Sequence, residues 1–196
     1  MSEAQRSKDG GVRFGRAELS AAVGELVDQP VQAIVAPGNQ RAMFAAGATG
    51  TLWSAAGEEV ERELRAFAPF EIGSAHATGA GRLAEHGIEY IFHAIIASGL
   101  GERPRALEIP RALERALDLA ADLRIRSIAI PILGVSAEAP PDERINAAQV
   151  VVETLVAHLR IRGQRLERGI LVSRFEDDRA PLHSLLVRAR ERLWTD

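Results

Sequence analysis

Four short, nearly all-apolar runs separated by helical patterns constrain this chain more than any other feature. They are "VQAIVA" (Val31–Ala36), "IEYIFHAIIA" (Ile88–Ala97), "SIAIPIL" (Ser127–Leu133) and "RGILVS" (Arg168–Ser173). Each is too short for a buried helix and rich in β-branched residues, as a strand buried on both faces must be. "SAHAT" (Ser74–Thr78) is a weaker strand candidate, and "GVRFGRAEL" reads as an edge strand. Between the runs lie helical segments. "PRALERALDLAADLR" (Pro110–Arg124) places Leu113, Leu117 and Ala120 on one face and opens on a proline suited to a first helical turn. "DERINAAQVVVETLVAHLR" (Asp142–Arg160) starts with acidic residues where the helix dipole favours them. "DDRAPLHSLLVRARERL" (Asp177–Leu193) closes the chain. The alternation specifies an α/β layered fold with a largely parallel sheet.

The 196 residues suit one domain. The polar "MSEAQRSKDG" reads as a disordered tail over residues 1–10, leaving 11–196 as a single domain. That tail has no apolar core of a signal peptide, and no apolar run approaches the roughly 20 residues needed to span a bilayer, so a cytoplasmic location is the default expectation. There is no cysteine, which removes disulfides, thiolate metal sites and thiol nucleophiles. Five histidines are scattered without i,i+4 partners, so no metal site is expected. A net charge of −3 disfavours a duplex-DNA binder while leaving local basic patches open.

In open α/β sheets, ligands bind beyond the carboxyl ends of the strands. Two loops there are candidates. The first leaves Val31–Ala36 through Pro37-Gly38-Asn39 and reaches "AGATGTLWSAAG" (Ala46–Gly57), where glycines crowd a helix start that Gly57 interrupts. Free N–H groups ahead of a helix form an anion site, although a plain connecting loop also uses glycine in this way. The second is "LGVSAEAPP" (Leu133–Pro141). Neither loop is a Walker A sequence, and neither matches the Gly-x-Gly-x-x-Gly dinucleotide fingerprint.

The order of these signals resembles the macrodomain family, whose members are ADP-ribose-binding α/β/α modules, and the resemblance implies a three-layer α/β/α sandwich around a mixed, largely parallel sheet. "VQAIVAPGNQ" is similar to the family's "VDAIVNAAN", and "AAGATGTLWSAAG" to "GGGVDGAIHRAAG". "GSAHATGAGRLAEHGIEYIFHAI" is similar to "GEAVIT…L…KYVIHAV", and "RSIAIPILGVSAEAPP" to "SIAFPAISTGVYGYP". The resemblance implies that the two loops grip a diphosphate through backbone amides. It assigns that role to Gly47, Ala48, Thr49 and Gly50, and to Gly134, Val135, Ser136 and Ala137. It places Asn39 near the distal ribose and Glu18 at the adenine amino group, where the family has an aspartate after its first strand.

The sequence departs from the family at Ala36, which replaces the first asparagine. It departs again at Thr49 for an acidic residue, Trp53 for a histidine and Ser136 for a glycine. The implied function is binding of ADP-ribose or a related nucleotide diphosphate, free or on an ADP-ribosylated molecule, with no cofactor. Hydrolysis of ADP-ribosylated protein, nucleic acid or metabolite is a second reading, and an altered pocket serving as an interaction module is a third. The residues themselves allow blander roles. His93 reads as core or hydrogen-bonding, His76 as solvent-facing, Trp53 as core or cleft wall, and Asn39 as a turn residue.

Overall fold

The computed structural model describes residues 10–43, 48–136, 138–162 and 165–194. Seven strands form one sheet: β1 (Val12–Phe14), β2 (Ala17–Val23), β3 (Ala33–Asn39), β4 (Ala75–Gly79), β5 (Tyr90–Ala97), β6 (Ser127–Pro131) and β7 (Arg168–Ser173). Their order is β1-β2-β7-β6-β3-β5-β4. The five central strands are parallel, and the outer pairs β1–β2 and β5–β4 are antiparallel. The segment expected as one edge strand is a tight hairpin. Gly15, at φ +62°, makes the turn that lets Phe14 pair with Ala17.

Five helices cover the sheet: α1 (Ala48–Ala56), α2 (Glu58–Arg65), α3 (Glu108–Asp122), α4 (Pro141–Arg162) and α5 (Arg179–Leu193). The faces follow from the alternation of strand side chains. Val35, Phe92, Ile128, Ile130 and Leu171 pack with Leu113 and Leu117 of α3, Leu155 of α4 and Leu186 of α5. Ile34, Ala36, Ile91 and Ala129 pack with Leu52 of α1 and Val60 of α2. This is the expected three-layer sandwich. The break between α1 and α2 falls at Gly57, whose φ of +98° ends one helix and starts the next. Among the described residues, no helix is long and apolar enough to cross a membrane.

The structure extends the third strand past its apparent stop, because Pro37, Gly38 and Asn39 remain paired with Ala94, Ile95 and Ala97 of β5. The ladder to β6 covers only Ala33 and Ile34. Pro37 therefore removes no bond from that side, which is how a proline is tolerated within a sheet. One consequence shapes the molecule: β3 and β6 part company toward their carboxyl ends. The chain crosses the sheet in opposite senses here, since β3 leads by way of α1 and α2 to β4 and then β5 on one side, and β5 leads by way of α3 to β6 on the other. A crevice at such a switch point is where α/β sheets bind ligands.

Candidate functional site

Both candidate loops leave the strands that flank this crevice. A register shift between Gly38 and Asn39 re-aims the chain as it exits β3. Asn39 then folds the loop on itself. Its side-chain oxygen accepts the amides of Arg41 (3.2 Å) and Met43 (3.1 Å), and its Nδ2 donates to the Met43 carbonyl at 2.7 Å. Asn39 is buried, so those bonds are shielded from water. The loop delivers Ala48, Thr49 and Gly50 as the first turn of α1, where N–H groups lack helical partners. Gly47 and Ala137 lie outside the described residues.

On the other side of the crevice, Gly134 turns the chain at φ +88° one residue beyond the buried Leu133. Ile109 of α3 packs so close that a Cβ on Gly134 would lie 2.2 Å from its Cδ1. Val135 is half-buried and Ser136 exposed, and the Ser136 carbonyl accepts the Ala139 amide at 3.2 Å. Arg144 anchors the far end of this loop by donating to the Ala139 carbonyl at 2.7 Å.

Arg144 belongs to a buried cluster. It forks onto Asp178 at 2.9 and 2.8 Å, and Asp178 also accepts the Ser173 hydroxyl at 2.6 Å. Burial opposes ionisation of Asp178, but the hydrogen bonds from Arg144 and Ser173 outweigh it and hold the carboxyl below its ordinary value. The Arg144 guanidinium also lies 4.0 Å from the centre of the Phe175 ring. Phe175 is 36% exposed, so the ring still presents apolar surface to solvent at the carboxyl end of β7.

Beside it, Gly24 continues the β2–β7 pairing by donating to the Ser173 carbonyl. The next residue on each strand forms an ion pair, Glu25 with Arg174, at 2.5 and 2.8 Å. Glu25 is thus a fixed carboxylate just past β2, paired with the residue that precedes Phe175 in the chain. Reading the sequence alone missed Glu25, Arg174 and Phe175.

Glu18 does not join this group, which corrects the expectation drawn from the resemblance. It pairs with Arg13 of β1 and Arg168 of β7 at the amino end of β2, on the opposite edge of the sheet. Glu18 is the second residue of β2, just after the hairpin turn, and the strand runs on to Val23 before it reaches the carboxyl edge.

The three rings noted in the sequence are close to one another. His93 is fully buried in the middle of β5, its Nε2 is 2.8 Å from Thr78 Oγ1, and Trp53 of α1 stacks on it at 5.4 Å. Burial, then the neighbouring His76, pushes the His93 pKa down to about 3. The imidazole is therefore neutral near pH 7 and serves packing, as its place in an apolar run implies. His76 packs against Phe70 at 4.2 Å, and burial lowers its pKa too. Among the described residues, no group of three or more His, Asp or Glu side chains is placed to hold a metal ion.

Comparison with known proteins agrees with this architecture. The Macro domain family model matches residues 35–148, more than half of the chain. Mouse ADP-ribose glycohydrolase MACROD1 is 29% identical over 163 residues, covering 82% of this chain, which spans about half (49%) of that protein's length. A macrodomain of Oceanobacillus iheyensis superposes with a TM-score of 0.77 at 18% identity, over 93% of this chain and 97% of that one. A Trypanosoma brucei macrodomain solved in complex with ADP-ribose superposes with a TM-score of 0.73 at 21% identity, over 90% of this chain and 71% of that one. The chain belongs to the Macro domain family.

Proposed function

We propose that residues 11–196 form one domain that binds ADP-ribose, or a related nucleoside diphosphate, along the carboxyl edge of the sheet. The observation that carries this reading is the pairing of two different kinds of surface on that edge. At the β3–β6 crevice lie the first turn of α1 and the Gly134 loop, both rich in backbone N–H groups. At the β2–β7 end lie the exposed Phe175 ring and the fixed Glu25 carboxylate. The two surfaces are separated by one to two strand spacings, roughly 5–10 Å. A base stacked on Phe175, with its amino group donated to Glu25, leaves its diphosphate at the crevice. Backbone amides and a helix N-terminus suit the phosphates. In this reading Glu25 takes the adenine role that the resemblance gave to Glu18. Asn39 shapes the first loop and keeps one amide hydrogen for a ribose hydroxyl.

Binding is favoured over hydrolysis by a specific observation. The Asn39 amide is already engaged three times by its own loop, and position 49 offers a hydroxyl that cannot act as a base near neutral pH. The mouse relative is named a glycohydrolase, so turnover is the second reading. Incubation with an ADP-ribosylated protein, followed by quantitation of released ADP-ribose, separates the two. Retention of the modification with saturable binding of free ADP-ribose supports a reader. Release at a rate that the G50E substitution abolishes supports the enzyme. A third reading, an interaction module with an altered pocket, is supported if neither binding nor release is seen.

A further inference from the structure

Opposite the crevice, the amino edge of the sheet collects arginines. The register aligns Arg13 of β1, Glu18 of β2, Arg168 of β7 and Ser127 of β6 in one row. The Arg126 carbonyl accepts the amides of both Glu167 and Arg168, and Glu18 donates to the Glu167 carbonyl, which ties Arg126 into the same row. Arg16, in the hairpin turn, joins Arg13, Arg168, Glu18 and Glu167 around a hollow of about 470 Å³. Arg124, at φ +60° after α3, and Arg165 lie in the segments that lead into β6 and β7. All six guanidiniums belong to exposed residues.

Three arginines and two carboxylates line the hollow, and Arg124, Arg126 and Arg165 add three exposed cations beside it in the chain, on a protein of net charge −3. Elsewhere in the molecule arginines form ion pairs such as Glu25–Arg174, Arg103–Glu143, Arg144–Asp178 and Glu176–Arg179. Here Arg13, Arg16, Arg124 and Arg165 have no ion pair among the described residues, and the nearest approach of Arg126 to Glu167 is 3.9 Å. Arginines at the ends of helices would offset the helix dipole, but Arg13, Arg16, Arg126 and Arg168 sit on strand ends and a turn. Like charges gathered without counter-charges destabilise a fold through self-repulsion, so an external anion is the natural complement.

The shape selects the anion. The row crosses four strands, roughly 15 Å at the ~4.8 Å strand spacing, so it meets several negative charges in series. The hollow is open on its solvent side, so an extended phosphate chain can lie along the row. Guanidinium forks match phosphate oxygens two at a time. No aromatic side chain lines the hollow, so it offers nothing on which bases can stack. We infer that the amino edge, around Arg13, Arg16, Arg126 and Arg168, binds the phosphodiester backbone of a single-stranded nucleic acid without regard to sequence. This surface is independent of the crevice on the opposite edge.

The test is fluorescence anisotropy with end-labelled 15-nucleotide RNA and DNA of mixed sequence, at 50 and 200 mM salt. Binding should fall steeply with salt and differ little between sequences. The R13Q/R16Q/R168Q variant should bind at least tenfold more weakly. Its slope of log affinity against log salt should be shallower by about two, the share of three lost phosphate contacts on a single strand. The matching lysine variant, which keeps the charge, should retain most of the affinity, and unchanged melting curves show that both variants fold. The inference is overturned by no binding at 50 mM salt or by equal binding in the glutamine variant. It is also overturned if the protein associates with phosphatidylserine vesicles and not with oligonucleotides.

Discussion

Arg144 and Asp178, 34 residues apart in sequence, form a two-pronged buried ion pair that ties the second loop to the end of β7. Asp178 is 1% exposed and Arg144 7%. Buried pairs of this kind gain little over an apolar substitute, but breaking one strands a charge. The D178A substitution should therefore cost about 3–5 kcal/mol. It should also free the Ala139 end of the loop, weakening ligand binding in proportion. Chemical denaturation read by circular dichroism measures the first effect, and titration of the surviving folded fraction measures the second.

The same pair sets an acid response. The Asp178 carboxyl is held below its ordinary value in the folded protein, so the unfolded chain binds its proton first. That contribution to stability is complete above the ordinary carboxylate pKa and disappears as pH falls through the lower, folded value. D178N should lose stability at neutral pH and show a flatter dependence on acid below about pH 4. An unchanged acid limb would show that Asp178 is not held ionised by Arg144.

His93 gives a second pH signature, in a different window. Its pKa drops from 6.5 to about 3 on folding, so between those values the unfolded chain takes up a proton that the folded chain refuses. Stability from this residue is complete above pH 6.5 and falls on acidification through the window, by at most about 1.4 kcal/mol per pH unit. Nuclear magnetic resonance should show a His93 ring that does not titrate between pH 5 and 8. A midpoint near 6.5 would mean that the ring is not sealed between Trp53 and the sheet.

Phe175 and Glu25 are the sharpest test of the base pocket. Base–aromatic stacking contributes about 1–3 kcal/mol, so F175A should weaken ADP-ribose binding by roughly 5- to 150-fold. Its effect on stability should be small, because the ring is partly exposed. E25Q should weaken ADP-ribose binding too, whereas E18Q, on the far edge of the sheet, should leave it unchanged. Calorimetric titration of the three variants decides between the two glutamates.

Gly134 and Gly81 should respond unequally to alanine. At Gly134 the new Cβ meets only the flexible tip of Ile109, so the cost is set by the positive φ, about 1–2 kcal/mol. At Gly81, φ +55°, it would lie 2.2 Å from the backbone oxygen of Ala56, which cannot yield without moving the end of α1. G81A should be the more destabilising in thermal melts, and G134A the more damaging to ligand binding relative to its loss of stability.

The layers were legible in the sequence because strands buried on both faces leave no choice of side chain. Val35, Phe92, Ile130 and Leu171 must all be apolar, and the runs around them are. The break at Gly57 was legible for a similar reason, since only glycine takes that turn without strain. What failed to show was register. "AELSAAV" has small side chains and only partial burial along most of its length, so nothing in it marks which end of β2 faces the ligand edge. Glu18 and Glu25 bracket the strand, and nothing in its pattern says which of them stands at the carboxyl edge. The extension of β3 through Pro37 was hidden because it depends on β6 diverging from β3 after Ala129, a fact of neighbouring strands. The Arg144–Asp178–Ser173 cluster joins three elements whose sequences give no sign of one another.

The central claim is that the carboxyl edge binds ADP-ribose through a base pocket and a diphosphate crevice together. Isothermal titration with ADP-ribose, with AMP as the comparison, tests it most directly. The expected result is saturable ADP-ribose binding, with AMP weaker because it offers the base and a single phosphate only, and with both weakened in F175A. Equal affinity for the two ligands would contradict the diphosphate role of the Gly134 and α1 loops. No heat with ADP-ribose at millimolar concentration would contradict the claim altogether.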